Sequence, residues 1–183
     1  IDSPFTSPWT QQQCVYYEFL VEEKRRSGGS NARATWHSII NDVQKQSFKV
    51  TDPSGSVEIN PRKAEFDLKS VAHERIGLLS GDASSELQTL LKDRDIETTN
   101  RISRELRCSE KVLTTGDTVY VFGEVRRQGD KLFIGSGLMP LIVAEDGEHF
   151  IEEGYSKSAT YYLVGAIVLI IIGLGLVVLG FVD

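Results

Sequence analysis

The stretch "YYLVGAIVLIIIGLGLVVLGFV", Tyr161 to Val182, runs for 22 residues without a charge. As a helix rising about 1.5 Å per residue it reaches roughly 33 Å, the thickness of a bilayer's hydrocarbon core. Its place near the C-terminus excludes a signal peptide, and a buried helix of a soluble domain is seldom so long or so uniformly apolar. The spacing predicts a transmembrane helix over 161–182, with Tyr161 and Tyr162 as interfacial anchors. Ala166, Gly173 and Gly180 recur every seven residues and fall near one face, where small side chains admit a second helix. Glycine and alanine are also simply common in spanning helices, so both accounts stand.

Ahead of this run, 145–160 ("EDGEHFIEEGYSKSAT") holds five acids and one lysine. So few cations lean the preceding domain towards the non-cytoplasmic side. Glu145, Asp146, Glu148, Glu152 and Glu153 supply hard oxygens for calcium, but a solvated acidic linker is the simpler reading.

The 183-residue chain is long enough for one core-bearing domain over 1–144 plus this linker and the span. Net charge is −6, and all 20 basic residues and 25 of the 26 acidic ones precede Tyr161. Such a domain is ill suited to a phosphate backbone, which excludes nucleic acid as the expected partner. Cys14 and Cys108 are too few for a zinc cluster, and His37, His73 and His149 are scattered. The cysteines either form a disulfide or lie buried as small apolar residues.

Within the domain, "CVYYEFLVEEKRR" alternates with period two. Val15, Tyr17, Phe19 and Val21 are expected on one face, and Tyr16, Glu18 and Glu22 mostly on the other. "SGGSN" turns it, and Ala32 to Ile40, with Trp36, returns as the second arm of a hairpin. Lys24, Arg25 and Arg26 read either as a lipid-binding basic patch or, with Glu22 and Glu23 adjoining, as a charged strand end. "SFKVTDPSGSVEIN" is a second hairpin, in which Asp52 bonds the backbone ahead, Pro53 presets φ and Gly55 accepts a positive φ. Pro61 closes it.

Over about 80–100 the period changes. Asp82 or Ser84 is a cap, and Leu87, Leu90 and Leu91 follow at helical spacing, predicting about ten residues of helix packed on the sheet. Leu106 to Leu113 resumes the β pattern, and "TTGD" and "RRQGD" are its next turns. In "DTVYVFGEV", Val119, Val121 and Val125 are expected inward and Tyr120 and Glu124 outward, with Gly123 marking a bulge or a close crossing. The expected fold is α+β: a bent antiparallel sheet or partly closed barrel of six to eight strands, one or two helices, and the membrane helix.

Catalytic signals are wanting. "GSGLMP" at Gly135 is neither a dinucleotide fingerprint, since Pro140 stands at its last glycine position, nor a nucleophile elbow; it reads as a strand-end turn. His37, Ser38 and Asp42 make a triad on paper only, and His73–Glu74 lacks a second histidine. No catalytic residue, metal or cofactor is expected, and the default is a non-catalytic module.

"CVYYEFLVEE", Trp36, "SFKVTDPSGSVEINP" and "RELRCSEKVLTTGDTVYVFGEV", in this order and before a membrane helix, resemble the GIDE family. Its domain is also called the BAM, or "beside a membrane", domain. The resemblance implies a module held between two transmembrane helices, the first upstream of Ile1. In the family's ligases it implies a following RING finger that performs E3 ubiquitin chemistry. This chain contains no Cys/His array for RING zincs, so the resemblance carries over a membrane-tethered, protein-binding module rather than ligase activity. Two alternatives remain: a ligase or ligase subunit whose RING lies outside this chain, and a ligand-binding β-barrel presenting Tyr16, Tyr120 and Phe122 on a concave face. The expected partners are the bilayer, an unidentified protein, and a second or upstream transmembrane helix.

Overall fold

A computed structural model describes residues 3–26, 33–77, 82–97, 105–129 and 131–146. The chain divides into a unit over Ile1–Glu145 and a second over Asp146–Asp183. Apart from Asp146, the second lies outside the described residues. So do the expected span, Tyr161, Tyr162, Ala166, Gly173, Gly180, and the acids Glu148, Glu152 and Glu153. Among the described residues no helix is long and apolar enough to cross a membrane.

The first unit is β-rich, with a curled half-barrel sheet and one short helix. Its largest sheet orders β1 (Phe5–Thr6), β2 (Gln13–Arg26), β8 (Leu106–Thr114) and β7 (Ser70–Ile76), with β3 (Ala34–Lys45) also paired to β2. A second sheet runs β10 (Glu124–Gln128), β11 (Lys131–Gly135), β5 (Gly55–Ile59), β4 (Phe48–Asp52). A third runs β6 (Ala64–Asp67), β12 (Leu141–Ala144), β9 (Tyr120–Phe122).

The structure departs from three expectations. The described residues hold twelve strands rather than six to eight. The largest sheet is antiparallel throughout, but the other two are mixed, because β11 joins β5 and β12 joins β6 in parallel. The first hairpin's second arm extends to Lys45, well past Ile40.

Both predicted hairpins form. In the second, Asp52 Oδ1 accepts from the Ser54 and Gly55 amides at 2.8 and 3.1 Å, and Gly55 takes φ +149°. The helix α1 (Ser85–Lys92) has eight residues, with Ser84 as the cap that accepts from Leu87 N. It stops where Asp95 turns left-handed (φ 58°) and Ile96 N reaches back to Leu91 O.

The β2–β8 pair separates two cores. On one side Phe19, Val21, Leu106 and Cys108 pack with Ile76 and with Leu87 and Leu91 of α1, as the helical spacing predicted. On the other, Tyr16 and Leu113 pack with Phe48, Ile59, Leu141 and Val143. The expected facing of β2 fails at its start. The register shifts between Cys14 and Tyr16, and the extra residue sends both Val15 and Tyr16 to the second core. Tyr16 is therefore not an exposed ligand-binding aromatic; it stacks on Phe66 at 3.8 Å and is 4 % exposed.

Candidate interaction surface

Chemistry does not converge among the described residues. His37 shares a 2.9 Å hydrogen bond with Thr35, Ser38 donates to Ile40 O, and Asp42 pairs with Arg94 at 3.1 Å. The paper triad is thus three side chains engaged elsewhere. Glu74 accepts from Ser84 N at the helix cap. No described group of three His, Cys, Asp or Glu is placed to hold a metal; of the linker acids, Glu145 accepts from Lys69 N at 3.3 Å.

The cysteines are free and buried. Cys14 lies opposite Thr114 and Cys108 opposite Val21, seven residues apart along β2 and so roughly 20 Å, far beyond disulfide reach. Burial pushes the Cys14 thiol up to about 11, with help from Glu110, and the Cys108 thiol up to about 12, with help from Glu74. Native protein at pH 8 should therefore react with Ellman's reagent more than about a hundredfold slower than a free thiol, for want of thiolate. Both thiols should titrate at once in denaturant. Rapid native labelling of either would contradict their placement.

At the far end of β2 the charges are spent on one another. Lys24 bonds Glu105 at 2.7 Å and Arg25 bonds Glu23 at 2.8 Å. Arg107 grips both oxygens of Glu22 and holds that carboxyl below the usual range. The Arg107 guanidinium lies 4.6 Å from the Trp36 ring centroid and Lys24 Nζ lies 5.7 Å from it. Lys24 and Arg25 thus form a paired strand end; the side chain of Arg26 lies outside the description.

Sequence reasoning missed Glu110. It is fully buried, and it accepts from Ser7 Oγ, Trp9 N, Thr10 N and Thr10 Oγ1 at 3.1, 2.7, 2.9 and 2.5 Å. With three donors on Oε2 and one on Oε1, it is a clamp on the 7–10 turn rather than a reagent. The signal was present: Leu106, Cys108, Glu110 and Val112 alternate, which assigns Glu110 to the buried face.

What the surface offers instead is apolar. Among the described residues eight large apolar side chains stand exposed, and six fall between Tyr120 and Met139. Tyr120 (55 %) and Phe122 (48 %) point outward from β9, as expected, while Val119 and Val121 pack on the core. Val125 does not point into a core; it is 68 % exposed. The reason is its place in the sheet. The cross-strand row Phe48, Ile59, Ile134, Val125 begins in the core and runs off the edge strand β10, where none of the described residues covers it. Leu132, two residues from Ile134 on the same face, is half exposed for the same reason. At the opposite edge of this sheet, on β4, a groove of about 540 Å³ is lined by Val15, Phe48, Val50, Leu113 and Val119 together with the polar 114–118 turn.

The model of the GIDE family, described as E3 Ubiquitin ligase, matches residues 17–180. That range takes in every strand but β1 and the start of β2, and most of the uncharged 161–182 run. No curated protein and no solved structure matches the chain.

Proposed function

Because this chain belongs to the GIDE family, which is associated with E3 ubiquitin ligases, we propose that it is a membrane-tethered, non-catalytic module that docks a protein at the bilayer surface. The observation that carries this reading is the concentration of exposed apolar side chains between Tyr120 and Met139. Soluble surfaces scatter such residues singly, and contiguous apolar patches mark interaction sites. The uncharged 161–182 run supports the tether, and a linker of about fifteen residues keeps the module near the headgroups. Val125, at the open end of a core row, and Leu132, on the same face one strand in, are the anchors for the protein partner.

A photo-crosslinker at Arg127, on the same face of β10, tests the assignment in native membranes. One discrete adduct is expected, and Val125→Asp with Leu132→Asp should cut its yield at least about tenfold, as losing two anchors implies. The melting temperature should stay within roughly 2 °C, since these are surface substitutions. Adduct yield unchanged by the double substitution would remove this face from the interaction.

The family description favours a second reading, in which this module belongs to a ubiquitin ligase whose RING lies outside the chain. A complete reading frame encoding a C-x-x-C-rich segment, with ubiquitin discharge that depends on it, would establish that arrangement.

A further inference from the structure

The loop "SGLMP" between β11 and β12, which holds no fingerprint or nucleophile, has an unusual construction. It is braced at three points. Ser136 Oγ donates to Lys63 O at 3.1 Å, Met139 N donates to Glu124 Oε1 at 2.8 Å, and Gly137 N donates to Met139 O at 3.0 Å. A Cβ on Gly137 would come within 1.8 Å of Glu124 Oε2 and 2.5 Å of Arg126 Nη2, so the backbone lies directly upon those side chains. This bracing turns Leu138 wholly outward, at 102 % exposure, with Met139 beside it at 45 %. A held tip of this kind ordinarily carries a polar residue. Here it presents a leucine that touches solvent alone and an unbranched thioether nearly half exposed.

The polar surroundings are cationic although the chain is acidic. Lys63, whose carbonyl the loop grips, and Arg126, against Gly137, are both exposed. The acid nearest it, Glu124, is occupied by Met139 N and by Arg126 at 3.5 Å, which holds its carboxyl below the usual range. Glu65 lies one strand further away, beyond Ile142. Apolar tip and flanking cations together match one environment, the boundary of headgroups and acyl chains in an anionic leaflet.

We propose that the Gly135–Pro140 loop dips into the headgroup region of an anionic phospholipid bilayer, with Leu138 and Met139 in the acyl boundary and Lys63 and Arg126 on lipid phosphates. This rests on the tethering proposed above and concerns a different surface from the Val125–Leu132 face. Tethering makes weak insertion sufficient. Fifteen or so residues separate Glu145 from Tyr161 and span at most about 55 Å, so the loop meets the leaflet at high effective concentration.

The test labels Leu138→Cys with an environment-sensitive fluorophore in the full chain, in nanodiscs of phosphatidylcholine with and without phosphatidylglycerol. The two native thiols are buried and do not compete. Lys92→Cys, on the helix at the opposite side of the β2–β8 pair, is the control. In anionic discs the label at 138 should shift to the blue and be quenched by doxyl lipid at least about threefold more than the label at 92. Lys63→Glu should reduce that quenching. Equal quenching at both positions would overturn the proposal, and so would a blue shift without lipid quenching, which denotes a protein covering the loop. Equal quenching in phosphatidylcholine alone would overturn the anionic assignment. Carbonate extraction separates the premises: a chain retained in the bilayer with an unquenched label defeats the loop only, whereas an extracted chain defeats the tether and the loop with it.

Discussion

Replacing Glu110 with alanine lowers the unfolding free energy by about 3–4 kcal/mol, and the melting temperature by roughly 10 °C for a domain of this size. The magnitude follows from what is left behind. A hydrogen bond to a charged group contributes about 1.5–3 kcal/mol, and such bonds to one acceptor are not additive. Alanine leaves the Trp9 and Thr10 amides without their acceptor, and of the Ser7 and Thr10 hydroxyls, 3.1 Å apart, only one can donate to the other. Trp9, packed edge-on to Phe19 at 6.2 Å, loses its support with the turn and opens one corner of the core. Glutamine keeps the volume but turns one acceptor into a donor, so Glu110→Gln should cost about half as much. Hydrogen exchange gives the local readout. The amides of Trp9 and Thr10 should exchange faster in both variants, while those of α1 change only as global stability falls. An alanine variant that melts within roughly 3 °C of the parent would show that the 7–10 turn holds itself.

Where a residue's neighbours are close in sequence, its environment was legible. Asp52, Pro53 and Gly55 specify a turn by their own backbone preferences, and the turn forms. Ser84, Leu87 and Leu91 specify a capped, one-faced helix, which forms two residues shorter because Asp95 leaves the helical region. Neighbours drawn from distant sequence were not legible. β6 has only four residues, "AEFD", and β7 mixes "HER" into its pattern, so neither announces itself until β12 and β8 pair with them. Both parallel pairings join residues 75 to 77 positions apart, a choice made by core packing rather than by any local signal.

The candidate surface divides along the same line. Alternation set the facing of Tyr120, Phe122 and Val121 correctly, since side chains on a strand obey a period of two. It assigned Val125 to the core side of its sheet, and the residue does share a face with Ile134 and Ile59. Facing is not burial, however. Whether that face is covered depends on what lies over the end of the row, and β10 is the sheet's last strand. An exposed apolar site of this kind is a core position without a cover, and sequence alone reads it as core.

At Gly123, as at Leu87 and Leu91, the local pattern and the long-range packing were both anticipated, and it yields the second large effect. Here the chain leaves β9, paired to β12, and enters β10, paired to β11. A Cβ at this point would lie 2.8 Å from Leu141 Cδ1, 2.9 Å from Ile134 Cγ2 and 3.2 Å from Gly135 O. The two side chains can yield slightly, but Leu141 is fully buried and the Gly135 carbonyl belongs to a strand pair. Gly123→Ala should therefore cost about 1–2 kcal/mol and Gly123→Val about 3 kcal/mol or more, by overpacking. A double-mutant cycle identifies the cause. Leu141→Ala alone should cost about 2–4 kcal/mol through its cavity. Combined with Gly123→Ala, the new methyl occupies part of that cavity, and the pair should be about 1 kcal/mol more stable than the two single costs imply. Additivity within roughly 0.5 kcal/mol would mean that the glycine is required by its backbone and not by the closeness of the two sheets.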